Sequence, residues 1–257
     1  MRHPSYMKTF SLLQRSLDQT IDLASLEAAT IAEPSIARAD CRRIHRELFG
    51  IMLCGLERGE AETLRVELSR RNFLTDLVAD DDLPVLREPF TIQRLDIVGL
   101  DLVFADALGH VQTRPLAELD FLAAGFMERI GRKSVLVVEG NMVHDPHQPQ
   151  NPLLEVQYRE EAVREFRLDF FFSSEPPRLR CMLNENNVLF YNNQPLRLRH
   201  TDELLGMIRG LNEMLPPGRS NQGLKRTDTA TFYPNLHCYE REIRWHFHRH
   251  RLDSPRL

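Results

Sequence analysis

The chain has 257 residues, 42% apolar and 27% charged, with a formal net charge of −4. That composition fits a folded protein with a sizeable core and excludes global disorder. No stretch approaches the ~20 apolar residues of a membrane helix, and no long apolar run follows the first residues, so neither a membrane span nor a secretory signal is expected. Cys41, Cys54, Cys181 and Cys238 are scattered. They form neither a disulfide framework nor a CxxC pair, which points to buried thiols in a reducing cytoplasm. Arg greatly outnumbers Lys, a bias shared with bacterial proteins from high-GC genomes.

The first third carries a helical period. Phe10, Leu13, Leu17, Ile21 and Leu23 predict a helix over 8–31. Ile36, Ile44, Leu48, Ile51 and Met52 predict another over 35–56, with Ser35 as its N-cap. Ala61, Leu64, Leu68 and Leu77 predict a third over 60–78, with Gly55 and Gly59 marking the join. The run Asp80-Asp81-Asp82 and Pro84 close this region.

The period then shortens. Ile92, Leu95, Ile97, Leu100, Leu102 and Phe104 nearly alternate, which predicts one or two strands with Gly99 at a bulge or turn. Leu116, Leu119, Leu122, Ala123, Phe126 and Ile130 form a stripe at helical spacing, so a helix is expected from Pro115 to Gly131. Residues 134–138 read as a short buried strand. The proline-rich segment 144–152 is a loop and the best domain boundary. Residues 153–199 read as an antiparallel meander with Phe166, Leu168, Phe170 and Phe172 on one face and Phe171 on the other. Within it, 153–166 fits strand or helix, and strand is preferred. Thr201 then opens a helix over 201–215, residues 219–235 are polar, and Leu236, Tyr239, Ile243 and Phe247 share one face of a last helix. Glu240 and Arg244 are spaced there as an ion pair.

Charge divides unevenly. Residues 216–257 hold eight Arg or Lys against four acids, so the body is acidic and the tail basic. The cations Arg219, Lys225, Arg226, Arg241, Arg244, Arg249 and Arg251 interleave with Tyr239 and Trp245. That mixture could bind a protein partner, or hold phosphates and stack on bases. It could also pack on the acidic body of the same chain.

Candidate chemistry is sparse. His144 and His147 sit in the proline-rich loop, and His246 and His250 stand one helical turn apart; these are candidate metal ligands without a closed ligand set. No nucleophile elbow or glycine-rich phosphate loop is present. The segment from Asn193 to Arg209, with Leu196-Arg-Leu before Thr201-Asp-Glu-Leu-Leu, resembles the strand-to-helix passage of response-regulator winged-helix domains. The resemblance covers under a tenth of the chain and implies a nucleic-acid-binding C-terminal part.

The sequence therefore predicts an α+β protein: a helical region over 1–84, a mixed or antiparallel sheet domain with packed helices over 85–218, and a basic, His-rich segment over 219–257. The expected function is that of a non-catalytic bacterial adaptor, regulator or assembly subunit, cytoplasmic, without cofactor or metal. It would contact a protein partner or a second copy through the basic segment. Nucleic-acid binding is the alternative, and metal-dependent hydrolysis the third reading.

Overall fold

A computed structural model describes residues 8–32, 35–138, 154–175, 177–183, 188–191, 194–195, 201–225 and 232–251. The fold is α+β, with three sheets and six helices among those residues.

The N-terminal unit is a three-stranded antiparallel sheet under three helices. β1 (Phe10–Gln14) lies between β2 (Ile51–Leu56) and β3 (Thr75–Ala79). Helices α1 (Leu23–Thr30), α2 (Arg38–Arg46) and α3 (Arg58–Ser69) cover one face through Leu26, Cys41, Ile44, Leu64 and Leu68. Each expected helix is thus only partly helical. β1 is covered on both faces: Leu12 packs under the helices and Leu13 against Trp245. A strand buried on both faces loses its alternation, so its apolar spacing imitated a helix. The second expected helix stops before Gly50, whose φ of +78° suits glycine. The third stops before Asn72, which takes a φ of 60°. Ala37, not Ser35, precedes α2 as its N-cap, with no side-chain cap.

The second unit contains two sheets. One has the order β4-β10-β9-β8, from β4 (Phe90–Ile92), β8 (Leu119–Val138), β9 (Leu154–Phe172) and β10 (Arg178–Leu183). The other has the order β12-β11-β5-β6-β7, from β5 (Arg94–Val98), β6 (Asp101–Ala105), β7 (Val111–Pro115), β11 (Val188–Tyr191) and β12 (Gln194–Pro195). The chain passes from the first sheet to the second at Gln93. Gly99 makes the β5–β6 turn with φ +64°, as expected. Leu95, Ile97, Leu102 and Phe104 of one sheet meet Leu122, Phe166, Leu168 and Phe170 of the other. Helix α4 (Thr201–Glu213) closes this core with Leu204, Leu205, Ile208 and Leu211. The expected face of Phe166, Leu168, Phe170 and Phe172 is buried here, and Phe171 packs on the opposite side.

The helix expected from Pro115 to Gly131 is instead the lower half of a 20-residue strand. The reason is again burial on both faces. Leu122 and Phe126 enter the core under α4, while Phe121, Ala123 and Met127 enter a second core under α6 (Leu236–His250). A run apolar at every position satisfies either period. Residues 154–166 are strand, as preferred. The proline-rich loop 144–152 lies outside the described residues.

Helix α6 is the spine joining the units. Asn235 caps it, its side chain accepting from Cys238 N at 2.9 Å. One face puts Tyr239, Ile243 and Phe247 on the sheet of β8–β10. The other inserts Trp245 between Leu13, Ile51 and Leu83. The structure layers as helices, small sheet, α6, large sheet, and then α4 with the third sheet.

Candidate functional site

The basic tail comes first, because the sequence singled it out. Arg241 Nη1 donates to Glu47 O at 3.4 Å, and Arg244 Nε to Pro84 O at 2.8 Å. Arg249 donates to Asp76 Oδ2 at 2.6 Å and to Gln14 O at 2.7 Å. Arg219 reaches Leu119 O at 3.2 Å from the turn before α5 (Gln222–Lys225). Tyr239 is fully buried and Trp245 is 7% exposed, so neither ring is open to a base or to a partner. Their hydroxyl and indole N–H donate to Ala123 O and Gln14 O. Lys225 and Arg251 are exposed, and Arg226 lies outside the described residues. The expected Glu240–Arg244 pair is replaced: Glu240 accepts from Arg178 and Arg180 at 3.0 Å each, while Arg244 turns to Pro84.

Under α6 lies a buried polar knot that the sequence did not reveal. Tyr233 OH donates to Glu242 Oε2 at 2.7 Å and accepts from Asn221 Nδ2 at 2.7 Å and Gly223 N at 3.2 Å. Glu242 Oε1 accepts from Gln222 N at 2.6 Å. Asn221 also clamps β8, accepting from Ala124 N and donating to Ala124 O. Tyr233, Glu242 and Asn221 are fully buried. Burial, and then the Glu242 charge, push the Tyr233 hydroxyl well above the ordinary phenol range, so it stays protonated and donates. Side chains at Gly125 or Gly223 would collide with Tyr233 or Ala124. The one signal was Glu242 standing on the apolar face of α6, one turn before His246.

A second network crosses the same sheet. Asp169 Oδ1 accepts from Arg180 Nε at 2.7 Å and Arg178 Nε at 3.3 Å. All three residues are buried. Arg178 also lies over the Phe171 ring at 5.2 Å. Burial opposes the charge on Arg180, but Asp169 more than restores it, so the guanidinium is held even more firmly protonated than usual. These groups tie β9, β10 and α6 together and expose no reactive atom.

The metal candidates divide. His144 and His147 lie outside the described residues. His246 is 4% exposed, at 3.4 Å from Glu242 Oε1 and stacked on His250 with ring centres 5.7 Å apart. Stacked rings do not converge their nitrogens on one ion. Among the described residues, no three His, Cys, Asp or Glu side chains are grouped to hold a metal. Burial lifts the Cys181 and Cys238 thiols, Cys238 to about 11, so neither is a thiolate at neutral pH. The segment that resembles a winged helix enters α4, and the described chain then runs into α5 and α6 without a hairpin.

The exposed feature of the fold is the β8–β9 ribbon. Its register runs unbroken from Phe121↔Phe171 to Val138↔Leu154. β10 pairs β9 only over Phe166–Phe171, and the bridges from Ser220 and Tyr233 reach β8 only up to Met127. Glu128, Ile130, Arg159, Glu160, Glu161, Ala162 and Arg164 are exposed, Ile130 at 72%. Residues 128–138 extend the arm by roughly 35 Å at the usual strand rise. The alternation in 154–172 and the apolar run 134–138 were its sequence signals; their pairing into one projection was not visible.

No helix is long and apolar enough to cross a membrane. The chain matches no family model, no curated protein and no solved structure.

Proposed function

We propose that the protein is a non-catalytic adaptor or subunit of a larger assembly, in a bacterial cytoplasm, and that its contact element is the β8–β9 arm. The observation that carries this reading is the exposure of Glu128, Ile130, Glu160, Ala162 and Arg164 on one face of the ribbon and of Arg159 and Glu161 on the other. A two-stranded ribbon alone in water is marginally stable. Such an element is best explained by a partner that covers it. The buried networks support the same reading, because their polar groups hold strands and helices together. The four thiols, none in a disulfide, suit a reducing compartment.

The basic tail fits a different role from the one its charge implied. Arg241, Arg244 and Arg249 act as intramolecular struts between the two units. Co-purification of the full chain from its native host tests the proposal, with bound protein, nucleic acid and metal assayed together. The wild-type chain should bring down a protein, or a differently tagged copy of itself, and Ile130→Glu should lose it. Retention by Ile130→Glu and by Ala162→Glu would overturn the arm as contact element. Stoichiometric nucleic acid with steep salt dependence would favour the nucleic-acid reading instead.

A further inference from the structure

We infer that the groove between α1 and α2 docks a short acidic segment of a partner protein, with an apolar side chain seated in the groove and carboxylates on Arg38, Arg42 and Arg46. This surface belongs to the N-terminal unit, and the inference stands without the β8–β9 arm.

The groove comes from how the two helices meet. They converge on Leu26, Ala29, Cys41 and Ile44 and leave beside that contact a trough of about 410 Å3. Ala24, Ala28, Ile31 and Ile36 line it, and Ile31 is 83% exposed. Thr30 lines it too, but its hydroxyl is turned to Glu27 O at 2.9 Å and Cys41 Sγ at 3.2 Å, so it needs no bond from a ligand. The lining calls for an apolar group, whose entry removes Ile31 and the alanines from water.

The rim supplies charge. Arg38 stands there with its side chain 84% exposed, and its Nε and Nη2 both donate to Glu27 Oε2. From Arg38, α2 carries Arg42 and Arg46 on the same exposed stripe, each four residues further on. At the helical rise they stand roughly 6 and 12 Å beyond Arg38 along the axis. Like charges at this spacing repel one another. Arg46 meets Glu47 only at 3.6 Å, and Arg42 has no ion pair among the described residues. A row of cations, partly neutralised, therefore leads away from an apolar trough.

Trough and row together select the occupant. A small apolar ligand would fill the trough and leave Arg42 and Arg46 untouched. A nucleic acid would meet the row, but it has no aliphatic side chain for the trough, and its phosphates would stand beside the carboxylates of Glu27 and Asp40. An acidic protein segment satisfies both, because one chain carries an apolar anchor and a series of carboxylates. The planar guanidinium fork pairs with a carboxylate through two parallel hydrogen bonds, which Arg42 is free to make.

Selection of a random displayed peptide library on the full chain tests this. The selected peptides should combine acidic with large apolar residues. Their binding, read by fluorescence anisotropy, should weaken about tenfold with Arg42→Glu and about tenfold with Ile31→Ser. Both side chains are exposed, so thermal melts should match the wild type. Arg65→Glu makes the same charge change at an exposed position of α3 and should leave binding intact, as should Ile130→Glu on the arm. A selection that yields no acidic, apolar peptide overturns the inference, and so does one whose peptides ignore either Arg42→Glu or Ile31→Ser. Equal weakening by Arg65→Glu would reduce the contact to net charge and overturn it. Loss with Ile130→Glu would place the peptides on the arm and overturn it as well. A DNA duplex that binds through Arg42 while no peptide does would assign the row to nucleic acid instead.

Discussion

Tyr233→Phe isolates the buried knot without changing its shape. The ring stays in its cage against Phe49, Phe232 and Tyr239, with centres 4.7–5.2 Å away, so no cavity forms. Only the hydroxyl goes, and with it three hydrogen bonds, to Glu242, Asn221 and Gly223. Glu242 keeps Gln222 N, and Asn221 keeps both its bonds to Ala124. A hydrogen bond to a buried charge contributes about 1.5–3 kcal/mol and a neutral one about 1 kcal/mol. The expected loss is therefore roughly 3–5 kcal/mol, including the cost of leaving Gly223 N without the phenol. Urea unfolding followed by Trp245 fluorescence measures it, since that is the only tryptophan and it is buried. The midpoint should fall with the slope unchanged. A loss below about 1 kcal/mol would mean that the hydroxyl is dispensable and the knot does not hold α6 to β8.

Other perturbations address other parts of the fold. Phe170→Ala removes a fully buried ring packed edge-on against Phe104 at 5.3 Å. It should cost about 3–5 kcal/mol in the same assay, and a loss under about 1 kcal/mol would reject the core between the sheets. Arg249→Glu breaks the strut to Asp76 and Gln14 and places two carboxylates together. It should lower the melting temperature by an amount matching about 1–3 kcal/mol, and an unchanged melt would return the tail to the surface. Stability should also fall as pH drops below 6.5. Burial first, and then Arg241 at His237, Arg249 at His248 and His246 with Lys225 at His250, hold these three below that ordinary value, so the unfolded chain binds more protons in the window beneath it. Burial of Asp76 raises its carboxyl, but Arg249 and Arg15 together hold it below 3.8, which adds a further loss in stronger acid. A urea midpoint that stays flat from pH 7.5 to pH 5.5 would contradict the histidine assignment.

Several elements were legible because their apolar residues keep a single period against polar neighbours, such as Arg167 and Asp169 in β9. The alternation of Phe166, Leu168 and Phe170 and the turn at Gly99 fall into that group. So does the stripe of Tyr239, Ile243 and Phe247, whose partners are all on one side. The errors share one cause. β1 and the lower half of β8 are buried on both faces, so their apolar residues fit a helix as well as a strand. Gly50 was the overlooked signal in the second helix; its Cα lies against Trp245, nearly two hundred residues away, and no local pattern reports that contact. The knot was hidden for the same reason, as Asn221, Tyr233 and Glu242 meet only when α6 folds onto β8. Charge misled at the tail. Arg241, Arg244 and Arg249 bind carbonyl oxygens of the N-terminal unit, an arrangement that composition cannot distinguish from a free basic surface.

The measurement closest to the central claim is photo-crosslinking in the native host. A photo-reactive residue replaces Ile130 on the arm in one full-length variant and the exposed Arg251 in another. A defined adduct is expected from position 130 and none from position 251. An adduct from position 251 alone would contradict it and make the basic tail the contact surface.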